Sequence, residues 1–283
     1  MKSFFVYGIL LMILLSACEE RVNIQLKYEG DRIVVNSLLQ PDSVAYIRIT
    51  RSVPANVYDE SGFTEIRDAQ VTLLQNGIDM GAVQQQTIKG RTYFVSKEKI
   101  ANGNTYTINV SAPGLTPVTA KDTLPPVPEV SGAAAKRYST RVVFTLKDRP
   151  GARDYYKVRV FTCGPGDRPD TMRNFRLDPA FNNNLIDVIT NAHYASLIMD
   201  DARFDGKTVN FVLETEYPVN ATRMMVEVSE LTCGGYKYFR TSDAQIGNGG
   251  VLITEPATVY TNVVNGYGIV AGINAKRIVF TTE

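Results

Sequence analysis

Any chemistry in this chain has to come from its acids, its cysteines and one histidine. The densest acidic stretch is Asp200-Asp201-Ala202-Arg203-Phe204-Asp205-Gly206, in which Asp201, Asp205 and Gly206 fall at positions 1, 5 and 6 of an EF-hand-type loop. The match stops there, because position 3 is Arg203 and position 12 is Val212, where calcium needs oxygen ligands. Aspartates ahead of a glycine also build turns, and that reading is preferred here. A calcium site of another type, using Asp200 or Asp201, stays open. Paired carboxylates could serve glycoside hydrolysis, but Asp200 and Asp201 are neighbours whose side chains diverge in a strand. His193 lies between Ala192 and Tyr194, and no Gly-x-Ser-x-Gly elbow accompanies it. It reads as a packing or surface residue. No phosphate-binding or dinucleotide-binding glycine pattern occurs. The expectation is a protein without a catalytic constellation, without a resident metal and without an organic cofactor.

The cysteines are more informative. Lys2 precedes an uncharged apolar run from Phe4 to Leu15, too short for the roughly 20 residues of a membrane-spanning helix. The run therefore reads as the core of a signal peptide, residues 1–17. It ends in Leu15-Ser16-Ala17-Cys18, which resembles the lipobox cut by the lipoprotein signal peptidase. Small side chains at Ser16 and Ala17 admit the backbone to a protease cleft, and the Cys18 thiol carries the lipid. Cys18 is thus the predicted lipidation site, and residues 18–31 are the tether that joins a membrane to the folded body. Cys163 and Cys233 remain, each followed by glycine, as at turns near strand ends. Outside the cytoplasm they either form a disulfide or stay as free thiols.

Once residues 1–18 are removed, 29 basic and 29 acidic residues are left. That balance offers no long-range attraction to nucleic acid. A mature chain of about 265 residues suggests two domains. The elements that must position any site are mostly strands. Residues 32–39 and 44–50 flank the turn Gln40-Pro41-Asp42-Ser43, and Val71 and Leu73 alternate with polar residues before the hairpin signal Asn76-Gly77. Residues 92–95, 105–110 and 117–120 continue the pattern. Residues 32–124 are therefore predicted to form an immunoglobulin-like β-sandwich. The prolines of Leu124-Pro125-Pro126-Val127-Pro128 mark a stiff linker over residues 125–130. Residues 131–283 are predicted to form a second β-rich domain, with strands around residues 142–146, 156–160, 209–213 and 222–231. Two short helices are predicted within it, over 184–195 and 236–244. The chain closes on two extended runs, 268–272 and 277–281.

Several phrases in order carry a resemblance. Ile33-Val34-Val35-Asn36-Ser37-Leu38-Leu39 is followed by Asp68-Ala69-Gln70-Val71-Thr72-Leu73 and by the run from Tyr106 to Gly114. The proline linker, Phe204-Asp205-Gly206-Lys207, the run from Glu255 to Val263 and Gly266-Tyr267-Gly268 complete the set. Together they resemble the DUF4249 family of Bacteroidetes lipoproteins over nearly the whole mature chain. The family brings no reaction and no catalytic residues. The resemblance implies an outer-membrane setting beside TonB-dependent receptors, and hence an accessory role in uptake. A structural surface protein, such as a fimbrillin-like β-sandwich subunit, is the alternative. Glu19 and Glu20 after the lipidation site resemble an export signal for surface display, or simply begin a solvated tether. Ser43, Thr123 and Thr171 each sit in an Asp-Ser/Thr-apolar triplet resembling the O-glycosylation sequon of exported Bacteroidetes proteins, and Thr123 at the linker is the best placed. The chain has no tryptophan, which removes the largest stacking face a sugar-binding module could use; its 15 tyrosines would have to substitute.

Overall fold

The structure, a computed structural model, describes residues 28, 30–54, 64–178, 192–247 and 258–283. Alternating apolar residues make strands because successive side chains leave opposite faces of the chain. Ile33, Val35 and Leu39 point inward along β1 (Ile33–Leu39), as do Ala45, Ile47 and Ile49 along β2 (Val44–Arg51). The first half continues with β3 (Gln70–Gln75), β4 (Ile78–Asp79), β5 (Gln84–Ile88), β6 (Arg91–Lys99), β7 (Thr105–Ser111) and β8 (Val118–Thr123). The second holds β9 (Glu129–Ala135), β10 (Arg141–Lys147), β11 (Tyr155–Cys163), β12 (Pro169–Arg173), β13 (Phe175–Leu177), β14 (Leu197–Asp200), β15 (Thr208–Thr215) and β16 (Arg223–Leu231). Helix α1 (Cys233–Gly247) and a final strand, β17 (Tyr267–Thr281), complete it. The protein is mainly β, as its periodicity predicts. Asn76 and Gly77 both have positive φ, 51° and 85°, the conformation that the Asn-Gly hairpin signal requires.

One sheet runs through both halves in the order β12-β11-β16-β17-β1-β2-β6-β5, with β14 also paired to β11. Two four-stranded sheets, β4-β3-β7-β8 and β13-β15-β10-β9, complete the layers. Ile33, Val35, Ile47 and Ile49 meet Leu73, Tyr106 and Ile108 in the first core. Phe144, Leu146 and Leu213 meet Tyr156, Val158, Val226 and Val228 in the second.

The tie between the halves is β17. Its first part pairs parallel with β1, from Val34↔Tyr267 to Leu39↔Gly272. Its second part pairs antiparallel with β16, from Leu231↔Ile273 to Arg223↔Thr281. Val263 and Val270 accordingly belong to the first core. The domain boundaries drawn from the sequence are corrected on this point. The prolines do separate two cores, but the last strand returns across them, and residues 263–272 complete the N-terminal half. The proline segment is also no free spacer, because Pro125 is buried and its carbonyl accepts a hydrogen bond from Asn274 Nδ2 at 3.0 Å.

The helix expected over 236–244 lies within α1. Residues 184–191 of the other expected helix fall outside the described residues, and Tyr194, near its end, forms an isolated β-bridge with Phe175 instead. The signal peptide and Cys18 also lie outside the described residues. No helix among the described residues is long and apolar enough to cross a membrane.

Candidate functional site

The acidic stretch singled out in the sequence closes a turn beneath the second core. β14 ends at Asp200, and strand alternation sends Asp200 and Asp201 apart, as expected. Asp200 stays near the surface, where it accepts from Arg153 Nη2 at 3.0 Å. Asp201 turns inward and is 3% exposed. The chain then doubles back, with Phe204 N donating to Asp201 O at 2.7 Å and Lys207 N to Phe204 O at 2.9 Å. Gly206 has φ +68°, and a Cβ there would lie 2.9 Å from Pro150 Cβ, so the turn needs glycine twice over. Asp205 caps the facing loop by accepting from Gly151 N at 2.8 Å.

That facing loop, between β10 and β11, supplies two more buried carboxylates, Asp148 and Asp154. A carboxylate oxygen from each of Asp148, Asp154 and Asp201 lies within 4.8 Å of the others. Such a trio could hold a cation, but protein donors already engage all three carboxylates. Asp148 accepts from Tyr156 Oη at 2.6 Å and from Gly206 N at 2.8 Å. Both oxygens of Asp154 accept from Arg149, at 3.1 and 2.5 Å, and Asp201 accepts from Asp154 N at 2.9 Å. Arg149 also reaches Glu230 on β16 at 2.5 Å. Calcium takes six to eight oxygens, and here it would have to displace the guanidinium. The group instead joins two loops and β16 across the bottom of the core.

Its electrostatics follow from burial. Glu230 faces the core beside Val226 and Val228, and removal from water pushes its carboxyl up to about 7, against the pull of Arg149. Burial, with the hydrogen bond to Asp148, raises the Tyr156 phenol. Burial opposes the charge on Arg149, yet Asp154 and Glu230 outweigh it and hold the guanidinium above its ordinary value. On the opposite face of the same sheet Glu227 is buried between two arginines, Arg159 on β11 and Arg277 on β17. Burial alone would raise its carboxyl, but the paired guanidinium groups bring it below the usual range.

The sequence points to Asp201, Asp205 and Gly206 as a turn, and the structure agrees. Asp148, Asp154, Arg149, Tyr156 and Glu230 carry no local signal of their meeting, being up to 82 residues apart (Asp148 to Glu230). One clue was present: Glu230 continues the apolar face Met224, Val226, Val228, where an acid needs a partner.

Residues 19–278 match the family described as Domain of unknown function (DUF4249). The chain belongs to the DUF4249 family. Among curated proteins none matches it. In this DUF4249 chain the phrases that carry the likeness have structural work. Gly266 and Gly268 stand where β17 meets β1: a Cβ would come within 2.4 Å of Ile33 O and 2.1 Å of Val35 O. Phe204-Asp205-Gly206 is the turn under the acidic group.

The remaining candidate residues scatter over the DUF4249 fold. Cys163 and Cys233 are both free thiols in the structure, the second of the two alternatives that the sequence leaves open. Cys163 ends β11, whereas Cys233 is hydrogen-bonded to Tyr155 at its start and helps push that phenol up to about 12. About 25 Å of extended chain separates them, far beyond the roughly 7 Å limit between bridged Cα atoms. Thr123 and Thr171 are exposed, with Thr123 Oγ1 3.0 Å from Thr105 Oγ1 and Thr171 Oγ1 3.3 Å from Asp170 Oδ2. Ser43 is half-buried, and its hydroxyl donates to Val44 O at 3.2 Å. His193 lies one residue before the Tyr194–Phe175 bridge.

Proposed function

We propose that this protein is an outer-membrane lipoprotein, tethered through Cys18, that serves a TonB-dependent uptake system as a non-enzymatic binding partner. The observation that carries the reading is the polarity of the body along β17. The chain enters the fold beside the start of that strand, where Arg32 lies 5.5 Å over the Tyr267 ring and Asp31 pairs with Arg51 at 2.7 Å. Fifteen extended residues later, about 50 Å away, β17 ends among the loops that carry Tyr138 and Tyr217. Thr282 N donates to Thr222 O, Arg137 N to Glu283 O and Tyr138 N to Val219 O, and Arg173 Nη2 reaches Tyr217 O at 3.1 Å. Tyr138 and Tyr217 are 67% and 63% exposed; Arg137 lies 5.1 Å over the Tyr138 ring, and Arg173 is the arginine beside Tyr217. Tyrosine and arginine are residue types that protein interfaces favour. A tether at one end thus leaves a partner-facing tip at the other.

The first half is read in this proposal as an immunoglobulin-like sandwich. Its support is the pair of mostly antiparallel layers over one core, closed by the parallel β1–β17 pair. Affinity purification from native outer membranes tests the function. Wild-type protein should recover a TonB-dependent receptor, Tyr138→Ala/Tyr217→Ala should lose it, and failure of wild type to recover one would remove the reading. Cys18→Ala should abolish lipid labelling, and unchanged labelling would refute the tether.

A further inference from the structure

Among the described residues, every strand that ends a sheet, except one, carries a device that discourages pairing. β12 begins with Pro169, bears Asp170 and Arg173, and shifts register at Thr162/Cys163. β8 is bridged by Val264, whose N donates to Thr119 O at 2.8 Å. β9 shifts register against β10 and receives Glu283 N at Ala135 O. β4 has two residues, β13 has three and is bridged by Tyr194, and β14 ends in Asp200. The exception is β5, Gln84-Gln85-Gln86-Thr87-Ile88, at the end of the nine-stranded sheet. It has no charge, no proline and no register shift against β6, and its first four residues are exposed.

The register decides which of its backbone groups are open. Lys89 and Gly90 form the two-residue turn to β6, both with positive φ, 49° and 76°. In such a turn the flanking residues, Ile88 and Arg91, are joined by the turn's own hydrogen bond. Inward and outward pairs then alternate along the strand. Ile88, Gln86 and Gln84 spend their N–H and C=O groups on β6, whereas those of Gln85 and Thr87 point away from the sheet. Gln85 and Thr87 flank Gln86 symmetrically. A second β5 running antiparallel about a two-fold axis at Gln86 therefore sets Gln85 opposite Thr87 at both places, for four backbone hydrogen bonds. Gln86 alone faces its own copy, and its amide can both donate to and accept from that copy. The nearest charges, Lys89 and Arg91, come to opposite ends of the joint and do not face each other.

We propose that β5 is a self-association edge, and that two copies of this chain join their large sheets there as an antiparallel, two-fold pair. The pair is isologous, so it closes at two copies. The proposal goes beyond the uptake reading and does not depend on it.

Cysteine cross-linking of the full-length chain in its host membranes tests it, in a Cys163→Ser/Cys233→Ser background. Across the two-fold axis Gln86 faces its own copy as a non-hydrogen-bonded pair, with Cα atoms about 4.5 Å apart, which lies within disulfide range. Gln86→Cys should yield a disulfide-linked dimer under mild oxidation, and Gln84→Cys, which faces Ile88, should yield at least about tenfold less. Thr87→Pro added to Gln86→Cys should abolish the dimer without unfolding the chain, because the N–H it removes points away from β6. Thermal melting of that variant checks the fold. No dimer from Gln86→Cys, equal dimer from Gln84→Cys, or Gln86→Cys joined to a different protein would each overturn the proposal.

Discussion

Gly268→Ala is expected to destabilise both halves of the protein together, by about 2–6 kcal/mol. Gly268 has φ +101°, a conformation that residues with a Cβ hold only at a strain of about 1–3 kcal/mol. An added Cβ would also sit 2.1 Å from Val35 O and 2.8 Å from Val35 C. These are backbone atoms of the partner strand and cannot swing aside, so the Val35↔Gly268 step of the β1–β17 ladder has to open. Two ladder hydrogen bonds at about 0.5–1.5 kcal/mol each account for the rest. The control is Gly114→Ala, where φ is +72° but nothing lies within 4 Å, so only the conformational strain applies. Urea denaturation gives the loss in stability, and hydrogen exchange shows where it falls. Because β17 bonds to β1 on one side and β16 on the other, amides of both neighbours should lose protection in Gly268→Ala. Equal losses for the two alanine variants would refute the steric argument. Exchange confined to β1, with β16 untouched, would refute the claim that β17 couples the halves.

Three further outcomes follow from the site. The Glu230 carboxyl is raised from 4.5 to about 7, so its contribution is fully present below 4.5 and is lost as pH rises through 7. Stability should fall by up to about 3 kcal/mol over that interval, and Glu230→Gln should flatten the fall; an unchanged slope in the variant would contradict the assignment. Since Arg149 and Tyr156 already engage Asp154 and Asp148, chelation should leave the melting temperature where it is, whereas a drop of several degrees with EDTA would reveal a bound metal. Both thiols should react with a thiol reagent in the native protein, exposed Cys233 faster than Cys163, whose thiol is raised chiefly by burial; a reductant-sensitive melting temperature would indicate a disulfide after all.

Period-two alternation was enough to place β7, β10 and β15 and to say which of their residues face a core, because side-chain direction depends only on local geometry. Asn76-Gly77 announced its hairpin for the same local reason, and the prolines after Leu124 marked where one core gives way to the other. The aspartate and glycine residues of 200–206 were legible as a turn. None of this names a strand's neighbour. Alternation specifies a face, while pairing is decided by which distant edge the whole chain leaves open, and Val34 meets Tyr267 across 233 residues. For that reason only the tertiary structure showed β17 completing the first half while closing the second. It also separated Cys163 from Cys233 along one strand and brought Asp148 and Asp154 to Asp201. The proposed Cys18 tether is the reverse case: the motif that suggests it is a short contiguous stretch, and no folding is needed to read it.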